Sequence, residues 1–302
     1  MPHPLPITKH FNISTSVPFV DVNAHTDTRL FVDPRAIRIE KNPSPYNADA
    51  NHCTRTFFDT VTNYIKSNSS ADNYRALELL QHFTEPKQTR LGLAKSGING
   101  HGGSEEVGQW IWDTLSTNAN ALLRIGTLKW IEDIPLFVDG VGNDITSDLT
   151  TRIIFKPLAE FTSAMVAKYP EFRAAPHKMI KSEHQIWDPQ SCAWDEYMFE
   201  LPSVNGVPLL LVPKNWVRPN LLMTATRYYE TQMLTYVQRK DASLDAKGKL
   251  LLTPKDRIIE SGKYPRGRKT ITDVTTDAVI NHGADPLADF RYFVDSRYEP
   301  RG

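Results

Sequence analysis

Residues Pro135 to Tyr169 read PLFVDGVGNDITSDLTTRIIFKPLAEFTSAMVAKY, and how that stretch is read decides the fold class. Leu136, Phe137 and Val138 form an apolar run that predicts a buried strand end. Gly140 and Gly142 follow and permit a tight, positive-φ turn. Beyond it, Leu149, Ile153, Ile154, Leu158, Phe161 and Met165 step by four, one, four, three and four, the period of one helical face. Ser147 or Asp148 is the expected N-cap. Pro157 predicts a kink, or a short first helix followed by a second start. A strand feeding an amphipathic helix gives a mixed α+β class.

Asp139, Asp144 and Asp148 fall within ten residues of this stretch. Hard oxygen ligands at a strand end suit Mg²⁺, and phosphoryl-transfer enzymes use such clusters to orient water and offset charge on the leaving oxygen. The same residues also have local uses. Asp148 caps and complements a helix dipole in one reading, and Asp139 and Asp144 close Asx-turns.

Working outward toward the N-terminus, Leu128 to Val138 predicts one or two strands broken near Asp133 to Pro135. Before them, GINGHGGS (97–104) leads into a predicted helix from Glu105 to about Leu123, with Val107, Trp110, Ile111 and Leu115 inward. A glycine loop ahead of a helix can cradle phosphate on its amides. Gly100, His101, Gly102 and Gly103 are therefore a phosphate-loop candidate, with His101 as an acid or base. Gly103 stands where a P-loop carries its lysine, and Glu105 and Glu106 oppose an anion there. Glu85-Pro86-Lys87 spells the E-x-K of restriction-type nucleases, although its proline opposes a paired central strand. Phe57, Phe58, Val61, Tyr64 and Ile65 predict one helix; Tyr74, Leu77, Leu80 and Phe83 predict a second, antiparallel across Asn68–Ser70. Leu30 to Val32 reads as a strand stopped by Asp33-Pro34.

Toward the C-terminus, residues 170–193 read as irregular. Glu196 to Ser203 and Val207 to Val212 flank Asn205-Gly206, the pair a type I′ turn demands, which sets a β-hairpin near 196–212. Glu200 on this hairpin and Lys214 just past it are candidates to join the Asp cluster, Lys214 offsetting developing charge. A lysine snorkelling from a strand exit is the plainer reading. A helix is expected from about Asn220 to Arg239. Residues 240–269 carry nine Lys/Arg against four Asp/Glu. Lys263, Arg266, Arg268 and Lys269 gather around a Pro-Arg-Gly turn as the local candidate for nucleic-acid phosphate.

Lys+Arg and Asp+Glu both number 35, so the global charge names no polyanion partner and any nucleic-acid face must be local. The two cysteines, Cys53 and Cys192, form no CxxC pair, which argues against a cysteine zinc site and fits a reducing cytoplasm. No apolar run nears the ~20 residues of a membrane span, and MPHPLPITKHF lacks an apolar signal core. A cytoplasmic protein without a membrane partner is expected.

Four phrases together carry a resemblance: LFVDP (30–34), EPKQTRLGLAKSG (85–97), GVGNDITSDLTTRII (140–154) and LPSVNGVPLLLVPK (201–214). They resemble a group of uncharacterised prokaryotic proteins of mobile elements and antiphage defence. That resemblance implies a bacterial or phage conflict setting and no catalytic residue. A weaker one is to restriction-endonuclease-like nucleases, which place an Asp on one strand and E/D-x-K on the next. Asp144 or Asp148 would supply the first carboxylate, whereas LLLVPK has Val212 where the acid belongs.

The expected architecture is one domain over 1–302, with a sub-division into a helical part (17–125) and a sheet-containing part (126–302). The helical part packs on a central mixed sheet. The expected function is an Mg²⁺-dependent nuclease of a defence system: Asp139, Asp144 and Asp148 bind metal, and Asp144, Asp148, Glu200 and Lys214 act on the phosphodiester. The alternative is a non-enzymatic sensor or adaptor that binds a partner protein.

Overall fold

A computed structural model describes residues 5–41, 44–67, 69–83, 85–93 and 104–300. After a short helix α1 (Ile7–His10), strand β1 (Phe31–Val32) stops at Asp33 and helix α2 (Pro34–Arg38) starts there. The Asp33 carboxylate accepts from the amides of Arg35 (2.9 Å) and Ala36 (3.2 Å), and Pro34 opens the first turn. Helices α3 (Pro45–Ser67) and α4 (Ser70–Leu79) form the expected pair. The first stripe is buried at Phe57, Phe58, Val61 and Ile65. The second turns differently, burying Ala76, Leu79 and Leu80 while Tyr74 faces solvent.

The helix expected over 105–123 divides into α5 (Ser104–Ser116) and α6 (Asn120–Arg124). Gly108 lets α5 meet the end of α4: a Cβ there would lie 2.3 Å from the Leu80 carbonyl oxygen. The strands expected over 128–138 are absent. Ile131–Asp133 forms a 3₁₀ turn and Ile134–Phe137 forms helix α7, with Pro135 in its first turn. A short apolar run does not distinguish a buried strand from a buried helix, and proline suits a helix start better than a ladder. Gly140 then turns with φ +80°, and the Trp110 ring lies 2.9 Å from where its Cβ would be.

The decisive stretch is two helices, α8 (Asn143–Ile153) and α9 (Phe155–Lys168), the second start anticipated at Pro157. The N-cap is Gly142, so Ser147 and Asp148 lie inside α8 and cap nothing. Ser147 instead accepts the Val32 amide at 2.9 Å, fixing β1 to α8.

Residues expected to be irregular contain β2 (Met179–Asp188), which pairs antiparallel with β3 (Ala193–Val204) from Met179↔Pro202 to Asp188↔Ala193. Trp187 and Trp194 pair across this ladder, and their indole N–H groups donate to Thr56 Oγ1 (2.9 Å) and the Leu79 carbonyl (3.1 Å). The Asn205-Gly206 turn has φ +54° and +78°, as a type I′ hairpin requires. Its second strand, β4 (Val207–Pro208), is only two residues long. Leu209 to Val212 are buried; the Leu209 amide still reaches the Pro202 carbonyl of β3 (2.7 Å), but those of Leu210 and Leu211 bond elsewhere, to the Gln88 carbonyl (2.9 Å) and Thr162 Oγ1 (2.9 Å).

Strand β5 (Val217–Arg218) pairs antiparallel with β1. Helix α10 (Ala225–Tyr228) passes through a π-helical segment, Tyr229–Met233, into α11 (Leu234–Lys240). A small hairpin of β6 (Ser243–Leu244) and β7 (Leu250–Leu251) precedes α12 (Lys255–Glu260), α13 (Arg268–His282) and α14 (Pro286–Asp295). The class is α+β. In place of one central mixed sheet, the described residues form three separate antiparallel sheets between helices. One hydrophobic cluster runs from Ile7 to Val294. Among the described residues, no helix is long and apolar enough to cross a membrane.

A buried ionic network crosses this core. Glu132 accepts from Arg35 (3.3 Å) and Arg38 (2.6 Å), and Arg35 also pairs with Asp295. Arg291 pairs with Asp133 at 2.5 Å and donates to the Thr127 carbonyl at 2.8 Å. Burial alone pushes the Glu132 carboxyl up; the guanidiniums of Arg38 and Arg35 more than undo that and hold it below its usual range.

Candidate functional site: an acidic face of helix α8

Asp144, Asp148 and Arg152 follow one another at steps of four, so they share one face of α8. Two neighbouring segments rise beside that face. Residues Asp27–Thr28 and Arg90–Gly92 are stitched together: the Thr28 amide donates to the Arg90 carbonyl (2.8 Å) and the Gly92 amide to the Thr28 carbonyl (3.1 Å). Gly92 turns at φ +122°, and the Asp144 Oδ1 atom lies 3.0 Å from where its Cβ would be. The next amide, Leu93, donates to the same oxygen at 3.3 Å. A side chain at position 92 would push Asp144 aside.

Asp27, on the first of these segments, and Glu85, five residues before the second, both act electrostatically on Asp148. Burial, and then the charges of Asp144 and Glu85, push the Asp148 carboxyl up to about 8, with Asp27 adding to the rise and Arg152 opposing it. At neutral pH Asp148 therefore holds a proton that an ordinary carboxyl has lost. Past Arg152 stands His184 of β2, stacked on Phe155 with ring centroids 4.7 Å apart and bonded through Nε2 to Ser182 Oγ at 2.7 Å. Burial and the Arg152 charge keep the His184 imidazole below its ordinary value, hence neutral at pH 7.

The structure brings Asp144 and Asp148 together and distributes the other sequence candidates. Asp139 lines a different cavity, with Trp110 and Arg268. Glu200 accepts from Arg173 at 2.9 Å on the hairpin. Lys214 opens a 3₁₀ turn, its amide donating to the Pro18 carbonyl. Neither Glu200 nor Lys214 is among the largest charges acting on Asp148. In the basic patch, Lys263 pairs with Asp241 (3.5 Å), Arg266 with Glu230 (2.7 Å) and Lys269 with Asp273 (2.5 Å). Arg268 instead lines the wall of two cavities. Gly100, His101, Gly102 and Gly103 lie outside the described residues.

Sequence reasoning discounted Glu85 and missed Asp27, Arg152 and His184. Only Arg152 carried a local signal, its i+4 spacing from Asp148. Among the described residues, no three His, Cys, Asp or Glu side chains gather closely enough to hold a metal by themselves. Mg²⁺ asks less of a protein, since one or two carboxylates suffice when water and substrate phosphate complete its shell. Asp144 and Asp148 could provide that much.

Residues 11–224 match the family described as a domain of unknown function, DUF8370. No curated protein and no solved structure matches the chain.

Proposed function

The chain belongs to the DUF8370 family, whose description carries no chemistry, and from the site itself we propose a divalent-cation-dependent nuclease acting in the cytoplasm. One observation carries the reading: Asp148 is forced to keep its proton by burial and by the carboxylates of Asp144, Glu85 and Asp27. Like charges drawn together on a half-buried face are costly unless a cation or a proton offsets them. Asp144 and Asp148 would hold the cation, with Glu85 steadying it from the facing segment. A bound Mg²⁺ supplies activation of water and relief of charge on the leaving oxygen. Arg152 is set to meet phosphate oxygens, and neutral His184 to take a proton from the attacking water. The resemblance to antiphage-defence proteins suggests nucleic acid as the substrate. Two free cysteines fit a reducing compartment.

The test is cleavage of single- and double-stranded DNA and RNA with Mg²⁺ or Mn²⁺, beside calorimetric titration of Mg²⁺. Because the ion must displace the Asp148 proton, its affinity is expected to rise by up to about tenfold per pH unit between about pH 6 and 8. Asp144→Asn and Asp148→Asn are expected to abolish cleavage and leave the fold intact. A protein that cleaves none of these substrates and binds no Mg²⁺ at pH 8 sinks the proposal.

A second reading, the non-enzymatic adaptor, is favoured by the β6–β7 hairpin. It exposes Leu244, Leu250, Leu251 and Leu252 together, and such patches mark protein contacts. Under that reading, Leu250→Ser with Leu251→Ser releases a co-purifying partner without altering the melting temperature.

A further inference from the structure

A cavity of about 710 Å³ opens beside the start of α8, a volume suited to a nucleotide-sized ligand. Its wall carries three guanidiniums, from Arg218, Arg227 and Arg268, together with Gly142 and Asn143 of the helix start. Backbone carbonyls take only part of their donor capacity: Arg218 Nη2 donates to Glu299 (3.0 Å) and Arg227 Nη1 to Leu222 (3.0 Å). The Nε atoms of Arg218 and Arg268 are buried and have no hydrogen-bond partner among the described residues. Solvent does not reach those two atoms, so a ligand in the cavity would meet the terminal nitrogens of these side chains.

Two carboxylates act on these cations, Asp139 on Arg268 and Asp33 on Arg218 and Arg227. Asp33 also accepts, through its oxygens, the amides of Arg35, Ala36 and Leu222 (2.7 Å for the last). Burial also pushes its carboxyl up to about 6, so its negative charge is partly lost just below neutral pH. Arg227 is held below its ordinary value by burial and by the charge of Arg297. Three arginines thus share one cavity wall, with Asp33 and Asp139 as the two acids that act on them. Helix α8 begins there at Gly142 with no side-chain cap, and α13 begins with Arg268 behind the equally uncapped Gly267. Open helix starts favour an anion; Asp144 in the first turn of α8 offsets part of this, and the first turn of α13 carries no acid. Val141, Leu221 and Met223 add an apolar wall for the rest of a ligand.

We propose that this cavity seats the terminal phosphate of a nucleotide or of an oligonucleotide end, with Arg218, Arg227 and Arg268 as its counter-charges. The proposal stands apart from the acidic face of α8 and needs no metal, so its test runs in EDTA. Inorganic phosphate, AMP, ATP and an oligonucleotide with and without a 5′-phosphate are titrated calorimetrically into the full chain. At least one phosphorylated probe is expected to bind saturably. Arg227→Gln and Arg268→Gln are each expected to weaken it about tenfold or more, the usual scale for a lost charge-assisted contact. Gly142→Asp puts a carboxylate where the anion would sit. Position 142 is extended (φ −109°), and a Cβ there meets nothing within 4 Å. Aspartate is a favourable N-cap, so this variant is expected to melt no lower than the parent while losing the ligand. Tighter binding of ATP or AMP identifies a free nucleotide; binding that requires the 5′-phosphate of an oligonucleotide identifies a strand end. Asp148→Asn is expected to bind as the parent does. If no phosphorylated probe binds, if binding survives the arginine and Gly142 variants, or if Asp148→Asn alone removes it, the proposal is overturned.

Discussion

Asp148 concentrates the tension of the acidic face in one side chain. Its folded-state pKa lies about 8, against about 3.9 for an unfolded chain. Between those values the folded protein keeps a proton that the unfolded chain has released. This group therefore removes stability as pH rises through that window, and its effect is largest above about pH 8. Asparagine carries no charge in either state and escapes the penalty. Asp148→Asn is expected to raise stability by roughly 1–3 kcal/mol at pH 8, with the gain fading toward pH 4; thermal melts across pH measure it. A variant that is less stable at pH 8 would mean that the carboxylate is already compensated. The Asp144–Asp148 pair was legible in sequence because both lie on one helix at a step of four. Glu85 and Asp27 were not, because their approach depends on the Thr28–Arg90 stitching, which joins segments about sixty residues apart and leaves no local periodicity.

At the level of elements, local chemistry declared itself where it was unambiguous. Asp33-Pro34 ended β1 and began α2, Pro157 marked a second helix start, and Asn205-Gly206 turned the hairpin. The apolar runs at 134–138 and 209–212 were misread because burial on every side looks the same in helix, strand or coil. Gly108 shows the converse, a residue whose meaning only packing reveals. Glycine inside a helix usually costs about 0.5–1 kcal/mol relative to alanine, so Gly108→Ala should stabilise α5 taken alone. Here the new methyl would lie 2.3 Å from the Leu80 carbonyl oxygen, a backbone atom with little freedom to yield. We expect a net loss of roughly 1–3 kcal/mol as α5 is forced off α4, read as a lower melting temperature with unchanged helicity at low temperature. A rise in melting temperature would show that the two helices part without cost.

Across the whole molecule, the ionic network joins the segment matched by the family to the chain beyond it. Arg291 and Asp295 of α14 pair with Asp133 and Arg35, and Tyr298 donates to Glu40 at 3.0 Å. Arg291→Ala would leave the fully buried Asp133 carboxylate without its cation, and a loss of roughly 3–5 kcal/mol is expected in urea melts. Replacing both partners together, Arg291→Met with Asp133→Asn, is expected to cost less, because no charge is then stranded and the asparagine oxygen still accepts the Lys129 and Trp130 amides. If the single and double variants lose equally, the network matters through its packing and not its charge. Resemblance to the family ends at residue 224, but the buried Asp133 takes its counter-ion, Arg291, from later in the chain. A gene fragment cut at that border would encode an acid marooned in hydrocarbon, and its product should be a client for chaperones and proteases, not a smaller working protein.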